Sequence, residues 1–498
     1  MVALARTARR MTGTASAAGL AGLEAALARD FACLNHPPAP WTPERTGPDG
    51  RPAADVLVVG GGMNGLAAAF ALRRLGLARL RQVDRRPAGM EGPWLNYARM
   101  ELLRSPKHLT GPAMGLPNLT FRAWWEAQYG AAGWERLGHI RRQDWAAYLG
   151  WYGRVTGAAV ESGTELLDLA PAGDLIAARL RAAEGREELI HARQVVLATG
   201  REGQARPRIP AAFRPFRGPR VLHSSEPLDP ATLPGRRVVV IGLSASAFDN
   251  ACVAAEAGAQ VTLLGRAATV PTVNKMKQTV YPGFAQGFPD LPDDERLAWL
   301  RLVAHARVAP PRHTVQRAVR AGVRLVTGAA LGAVREEAAV LRIETAAGTF
   351  DADLVVLGTG FRFDLSAAPE LDDFAARILT WRHLLPGAVA AAEEAQPGDD
   401  LLDCPALGPG FELRPRPGAA GAGLDRLRIF THAAQPSLGN LANDIPQASE
   451  GADRLARAVA RALFLEDMDW HRARLEAYAD PELLGDEGLL PWVPGGGS

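Results

Sequence analysis

Residues 55–65 read Asp55-Val56-Leu57-Val58-Val59-Gly60-Gly61-Gly62-Met63-Asn64-Gly65, a short apolar run followed by a G-x-G-x-x-G turn. An uninterrupted apolar run of this length predicts a parallel strand buried on both faces. The Ala- and Leu-rich stretch from about Asn64 to Leu75 predicts a helix, and Leu80–Val83 a second strand ending at Asp84. Each glycine has a mechanical reason. Gly60 permits the sharp exit from the strand, Gly62 leaves room for a pyrophosphate to approach the backbone, and Gly65 lets helix and strand pack closely. The phosphates then sit at the positive end of the helix, against unpaired N–H groups. Asp84 stands where a carboxylate accepts hydrogen bonds from ribose hydroxyls.

The pattern recurs downstream. Val238–Ile241 predicts a strand, Gly242-Leu243-Ser244-Ala245-Ser246-Ala247 the turn, Phe248–Ala257 a helix and Val261–Leu264 the next strand. The serines at 244 and 246 are small and can donate to phosphate. Gly60 to Asp84 and Gly242 to Arg266 both span 24 positions, with the terminal charge reversed. A carboxylate repels a 2′-phosphate and a guanidinium pairs with it. The first unit is therefore expected to hold FAD and the second NADPH; if Arg266 is only a solvated surface residue, NADH stays open.

At 498 residues the chain is too long for one core and suggests two or three domains. The fold class expected is α/β, with two Rossmann-like dinucleotide-binding domains, the second inserted into the first, and a short N-terminal helical extension. The expected division is 1–54 for an N-terminal helix (about Ser16–Leu34) and linker, 55–200 for the first part of the FAD-binding domain, 201–360 for the NADPH-binding domain, and 361–498 for the second FAD part with a closing helix near Ile445–Leu465. A net charge of +2 gives no electrostatic footprint for nucleic acid. Cys33, Cys252 and Cys404 form no Cys-x-x-Cys pair, which argues against a disulfide framework, a zinc site and a redox dithiol. No metal is expected. No stretch reads as a membrane span or signal peptide, so a soluble, cytoplasmic protein is expected. The final Gly495-Gly496-Gly497-Ser498 resembles a flexible tail or cloning scar.

With the two turns, Gly92-Pro93-Trp94, Ala198-Thr199-Gly200 and Gly358-Thr359-Gly360-Phe361, the chain resembles the class B flavin monooxygenases from about Asp55 to Leu465. That group includes flavin-containing, Baeyer–Villiger and N-hydroxylating enzymes. The resemblance places Thr199 and Thr359 near the crossings between the FAD and NADPH domains. It implies that NADPH reduces the flavin, that reduced flavin and dioxygen form a C4a-(hydro)peroxide, and that one oxygen atom passes to a small organic substrate. A homodimer is the class-level expectation. The fingerprint F-x-G-x-x-x-H departs from the group: Phe216 to His223 is one residue too long, so no role is assigned to His223.

Several residues keep two readings. Trp94 either flanks the flavin or packs in a core. Lysine occurs only at Lys107, Lys275 and Lys277, in a chain rich in arginine. Lys107, Asn274, Lys275 and Lys277 are candidate substrate-side catalytic residues, since N-hydroxylating relatives carry a lysine near the first; the other reading is ordinary exposed lysines. Asn440, Asn443 and Asp444 either face a flavin ring at a helix N-terminus or simply cap that helix. Two other functions stay open: an NADPH oxidase, reductase or amine dehydrogenase without oxygen insertion, and a non-catalytic nucleotide-binding protein. The substrate is not readable; amines, sulfides, ketones and purines such as urate are all candidates.

Overall fold

The computed structural model describes residues 19–337, 340–388, 398–484 and 487–488; residues 495–498 lie outside these. The strand Ala54–Val59 is the centre of the larger sheet. It pairs in parallel with Leu80–Asp84 on one side and Glu187–Leu197 on the other, with Val59 opposite Val83 and Leu197. Val56, Leu57 and Val58 are wholly buried, as two-sided burial requires. Leu427–Ile429 also pairs in parallel with Glu187–Leu197, and an antiparallel hairpin, Thr164–Ala172 with Leu175–Ala182, extends the sheet.

The second sheet is parallel throughout. Its order is Arg324–Val326, Gln260–Leu264, Arg237–Ile241, Leu354–Leu357, Val221–His223. All of its strands lie in the chain between Glu187–Leu197 and Leu427–Ile429 of the first sheet, so one Rossmann-like unit is inserted into the other. The chain enters through Ala205–Pro207 and returns through Phe361–Phe363, and these two crossings pair antiparallel with Arg206 opposite Arg362. A separate antiparallel meander, Leu331–Glu337, Val340–Thr345 and Gly348–Ala352, covers one face of the second sheet.

The helix Met63–Arg74 is buried from Gly65 to Leu72 and packs between the first sheet and the helix Ala448–Glu466. Small residues make this close approach feasible: Ala67, Ala68 and Ala69 are each fully buried. The Trp-rich segment forms helices Phe121–Arg136 and Arg142–Val155, whose aromatic rings pack around Phe121. Tyr148 and Tyr152 donate their buried hydroxyls to the Leu119 and Pro112 carbonyls at 2.7 and 2.8 Å.

The C-terminal helix starts later than periodicity suggests. Residues Ile445–Gln447 form a 3-10 turn, and the α-helix runs Ala448–Glu466. A further helix, Met468–Ala477, follows. The N-terminal helix is Gly19–Cys33. The Pro- and Gly-rich segment after it is firmly anchored: Trp41 Nε1 donates to the Leu75 carbonyl at 2.6 Å and Thr42 Oγ1 to Asp55 at 2.7 Å. Among the described residues no helix is long and apolar enough to cross a membrane.

Candidate functional site

In the first turn, Gly60 adopts a φ of +121°, and a Cβ there would lie 2.4 Å from the Ala198 carbonyl oxygen. A Cβ on Gly65 would lie 1.9 Å from the Gly60 carbonyl oxygen, so helix and turn touch backbone to backbone. Gly62 differs. It is the N-cap of the helix, makes no side-chain cap, and faces open space bounded only by Gly92 atoms at 3.6 Å or more. Unpaired N–H groups at a helix N-terminus beside open space suit a pyrophosphate. The buried Asp84 accepts from the Gly61 N–H and the Arg86 N–H, both at 2.7 Å. These bonds fix the carboxylate and leave lone pairs for ribose hydroxyls.

The second turn repeats the construction. Gly242 has a φ of +130°, and its Cβ would lie 2.5 Å from the Gly358 carbonyl oxygen, as that of Gly60 does from Ala198. The alanine in the third glycine position has a counterpart elsewhere: a Cβ on Gly358 would lie 2.6 Å from the Ala247 Cβ, so Gly358 gives up the volume that Ala247 takes. Ser244 is the N-cap of the helix Ala245–Glu256 and its hydroxyl makes no capping bond. Ser246 lies in the first turn, its carbonyl accepting from Asn250 at 2.8 Å. Arg266 is exposed just past Gln260–Leu264 and has no ion-pair partner among the described residues.

The crossings bind the units together. Thr199 Oγ1 accepts from Gln204 at 3.3 Å, and Gln204 in turn accepts from Thr431 at 2.6 Å. Thr359 donates across to the Arg208 carbonyl. His223, given no role from sequence, is buried at the end of its strand; its Nε2 lies 3.0 Å from the Gly360 carbonyl. Burial holds the His223 pKa below the usual imidazole range, which the Gly360 carbonyl partly opposes. Arg99 reaches from the first unit to the Ser224 and Glu226 carbonyls at 3.0 and 2.7 Å, and Arg104 to the buried Asp249 at 3.4 Å. Burial raises the Asp249 pKa and Arg104 opposes it. An open cleft of about 1090 Å³ lies at these crossings, lined by Arg86, Glu202, Ser225 and Phe361 among others.

The remaining candidates separate. Lys107 is half-buried against Trp134: its Nζ donates to the Trp134 carbonyl at 2.6 Å and lies 4.6 Å from the ring centroid. Lys275 and Lys277 are exposed on a 3-10 turn capped by Asn274, whose side chain accepts from Met276. That turn docks on the first unit through Thr279, which accepts from Asn440 at 2.6 Å and from Gln447 at 3.2 Å. Trp94 packs edge-on to Trp145, yet its buried Nε1 lacks a partner. Asp444 caps the turn Ile445–Gln447, and burial raises its pKa. The buried oxygens Asn64 Oδ1 and Asn443 Oδ1 are also unpartnered, while Asn64 Nδ2 donates to the Ala442 carbonyl at 2.7 Å. A glycine cradle a Cβ would intrude upon, with orphaned polar atoms around it, fits a dinucleotide with a polar ring system.

Sequence reasoning missed Arg201, Gln204 and His432. Arg201 directly follows Thr199-Gly200, the one local signal available.

Residues 57–319 match the family model described as pyridine nucleotide-disulphide oxidoreductase. The chain is 38% identical over 465 residues to an FAD-dependent urate hydroxylase from Xanthomonas campestris pv. campestris, covering 92% of this chain and 95% of that protein. In fold it is similar to an ornithine hydroxylase from Pseudomonas aeruginosa, with TM-score 0.63 and 16% identity over 82% of this chain and 100% of the other. An L-lysine 6-monooxygenase from Pseudomonas syringae aligns with TM-score 0.61 and 18% identity over 82% and 99%. The chain belongs to the pyridine nucleotide-disulphide oxidoreductase family, together with the FAD-dependent urate hydroxylase, and is an oxidoreductase.

Proposed function

We propose that this chain is an FAD- and NADPH-dependent monooxygenase that hydroxylates a small planar heterocycle, with urate as the first candidate. The observation that carries the reading is the duplicated turn with opposite charges, Asp84 and Arg266, at the same distance from each first glycine. The urate hydroxylase relative supports the substrate. In this reading residues 55–200 and 361–498 hold FAD, residues 201–360 hold NADPH, and the described part of the N-terminal segment, residues 19–54, supports the first sheet from outside.

Gly60, Gly62 and Gly65 bring the first helix N-terminus to the FAD pyrophosphate, and Asp84 takes the ribose. Trp94 and Asn443 turn their unpartnered polar atoms toward the ring system. Gly242, Ser244 and Ser246 receive the NADPH pyrophosphate, and Arg266 the 2′-phosphate. Bound FAD supplies hydride acceptance from NADPH and activation of dioxygen. The protein positions both cofactors and excludes water. The deciding measurement is stoichiometry. Purified enzyme given FAD and NADPH should consume one dioxygen per hydroxylated urate. NADPH consumption that urate does not stimulate, with peroxide released in equal amount, would make the chain an oxidase instead.

A second prediction concerns the nicotinamide cofactor. Losing a charge-assisted contact of about 1.5–3 kcal/mol should cost about 10–150-fold. Arg266→Ala is expected to lower kcat/KM for NADPH by that factor and leave NADH within about threefold. An unchanged NADPH/NADH ratio would leave Arg266 a surface residue.

A further inference from the structure

We propose that Arg201 and His432 form a recognition site for an anionic substrate at the crossing between the two sheets, an inference that rests on the monooxygenase reading above. Arg201 lies immediately after the first crossing threonine, with its guanidinium carbon 5.8 Å from the Phe361 ring centroid. Among the described residues it has no ion pair or hydrogen bond. The carboxylates close enough to act on it are already engaged: Asp400 pairs with Arg208 at 3.3 Å. Glu202, the next residue in the chain, pairs with Arg85 at 3.0 Å. Arg201 is exposed to solvent and rests on Phe361, which with Glu202 lines the open cleft at the crossings.

His432 supplies the second observation. Its Nδ1 is buried with no hydrogen-bond partner among the described residues. Burial, followed by the Arg201 charge, pushes its pKa well below the ordinary imidazole range, so the ring is neutral and offers one donor and one acceptor. Gln204 clamps the two segments together by bonding both Thr199 and Thr431, the residue before His432. Tyr97 completes the surroundings; burial pushes its hydroxyl up to about 12, so it stays protonated as a donor.

Two pyrophosphates are already provided for, each by its own glycine turn and helix N-terminus. Arg201 belongs to neither helix and is a third, uncommitted cation. A planar guanidinium above an aromatic ring suits a flat, delocalised anion, which it can meet with two parallel N–H bonds. Urate is a planar monoanion at neutral pH with amide-like edges, and a neutral imidazole can pair with such an edge.

The test is equilibrium binding of urate to FAD-loaded, oxidised enzyme, read from the perturbed flavin absorbance, alongside FAD and NADPH dissociation constants. Arg201→Met is expected to raise the urate Kd by about 10–150-fold. Arg201→Lys should recover part of that loss, and His432→Ala should raise the Kd about fivefold or more. FAD and NADPH affinities should stay within about threefold, and Arg201→Met should lose the preference for urate over hypoxanthine, which is neutral at the same pH. Unchanged urate affinity in Arg201→Met, in an enzyme whose wild type hydroxylates urate, overturns the site and leaves the function standing. A loss of FAD or NADPH affinity with urate binding intact assigns the guanidinium to a cofactor and also overturns it. A wild type that neither binds nor hydroxylates urate removes the substrate assignment, and the site with it.

Discussion

Gly65→Ala should come off purification without its flavin and with a lowered Tm. A Cβ at this position would sit 1.9 Å from the Gly60 carbonyl oxygen and 2.8 Å from its carbon. Those are backbone atoms, and they are held from three sides. The Gly60 N–H donates to Val83 at 2.7 Å, its carbonyl accepts from Gln82 at 3.0 Å, and its Cα abuts Ala198. The helix Met63–Arg74 must therefore move off the strand. Overpacking of this kind costs about 1–3 kcal/mol in stability, and the helix N–H groups lose their aim at the phosphates. FAD affinity should fall more than about 100-fold, since several charge-assisted bonds are displaced together. Gly62→Ala is the informative partner. Its Cβ meets nothing closer than 3.6 Å within the protein, so the apo fold should keep its Tm while FAD binding weakens sharply. Flavin absorbance and apo-protein unfolding separate the two effects. A yellow Gly65→Ala protein of unchanged Tm would mean that this turn does not cradle a cofactor.

The first turn was readable in the sequence because its constraints are local: a strand, three glycines and an acid at fixed spacing. The second was readable as a weaker copy, and its departure at Ala247 makes sense only in three dimensions, beside Gly358. The crossings at Ala205–Pro207 and Phe361–Phe363 carry too few residues for any periodicity to register. Arg201 and His432 escaped for two reasons. They lie far apart in the chain, and arginine is so common here that one more gives no signal. The lysines illustrate the reverse. Their rarity made them conspicuous, yet Lys107 rests on Trp134 while Lys275 and Lys277 are exposed on a separate turn. The Pro37–Ala54 segment has the composition of a linker, but its anchors are single side chains that composition cannot reveal.

Those anchors lead to the second large effect, Asp467→Ala. Arg193 is wholly buried in the strand Glu187–Leu197, where an unpaired guanidinium is costly. It lies 2.8 Å from Asp467, 3.3 Å from Glu466 and 3.5 Å from Asp55. Asp467 also pairs with Arg45 at 2.6 Å, and Arg79 pairs with Asp55 at 3.2 Å. The cluster therefore ties the 37–54 segment, the start of the central strand and the end of the last long helix to one point. Removing one partner of a buried pair costs about 3–5 kcal/mol, because the remaining charge stays desolvated. Asp467→Ala should lower stability by that amount, with a fall in Tm of about 3–5 °C for a chain of this length. Arg45→Ala removes a more exposed partner and should cost about 1 kcal/mol or less. The cluster lies at the strand end opposite Gly60, about 16 Å from the glycine turn by strand rise. Folded Asp467→Ala enzyme should accordingly keep its FAD affinity and its turnover per bound flavin. Loss of turnover at unchanged stability would show that the cluster serves the site directly and not through the frame that carries it.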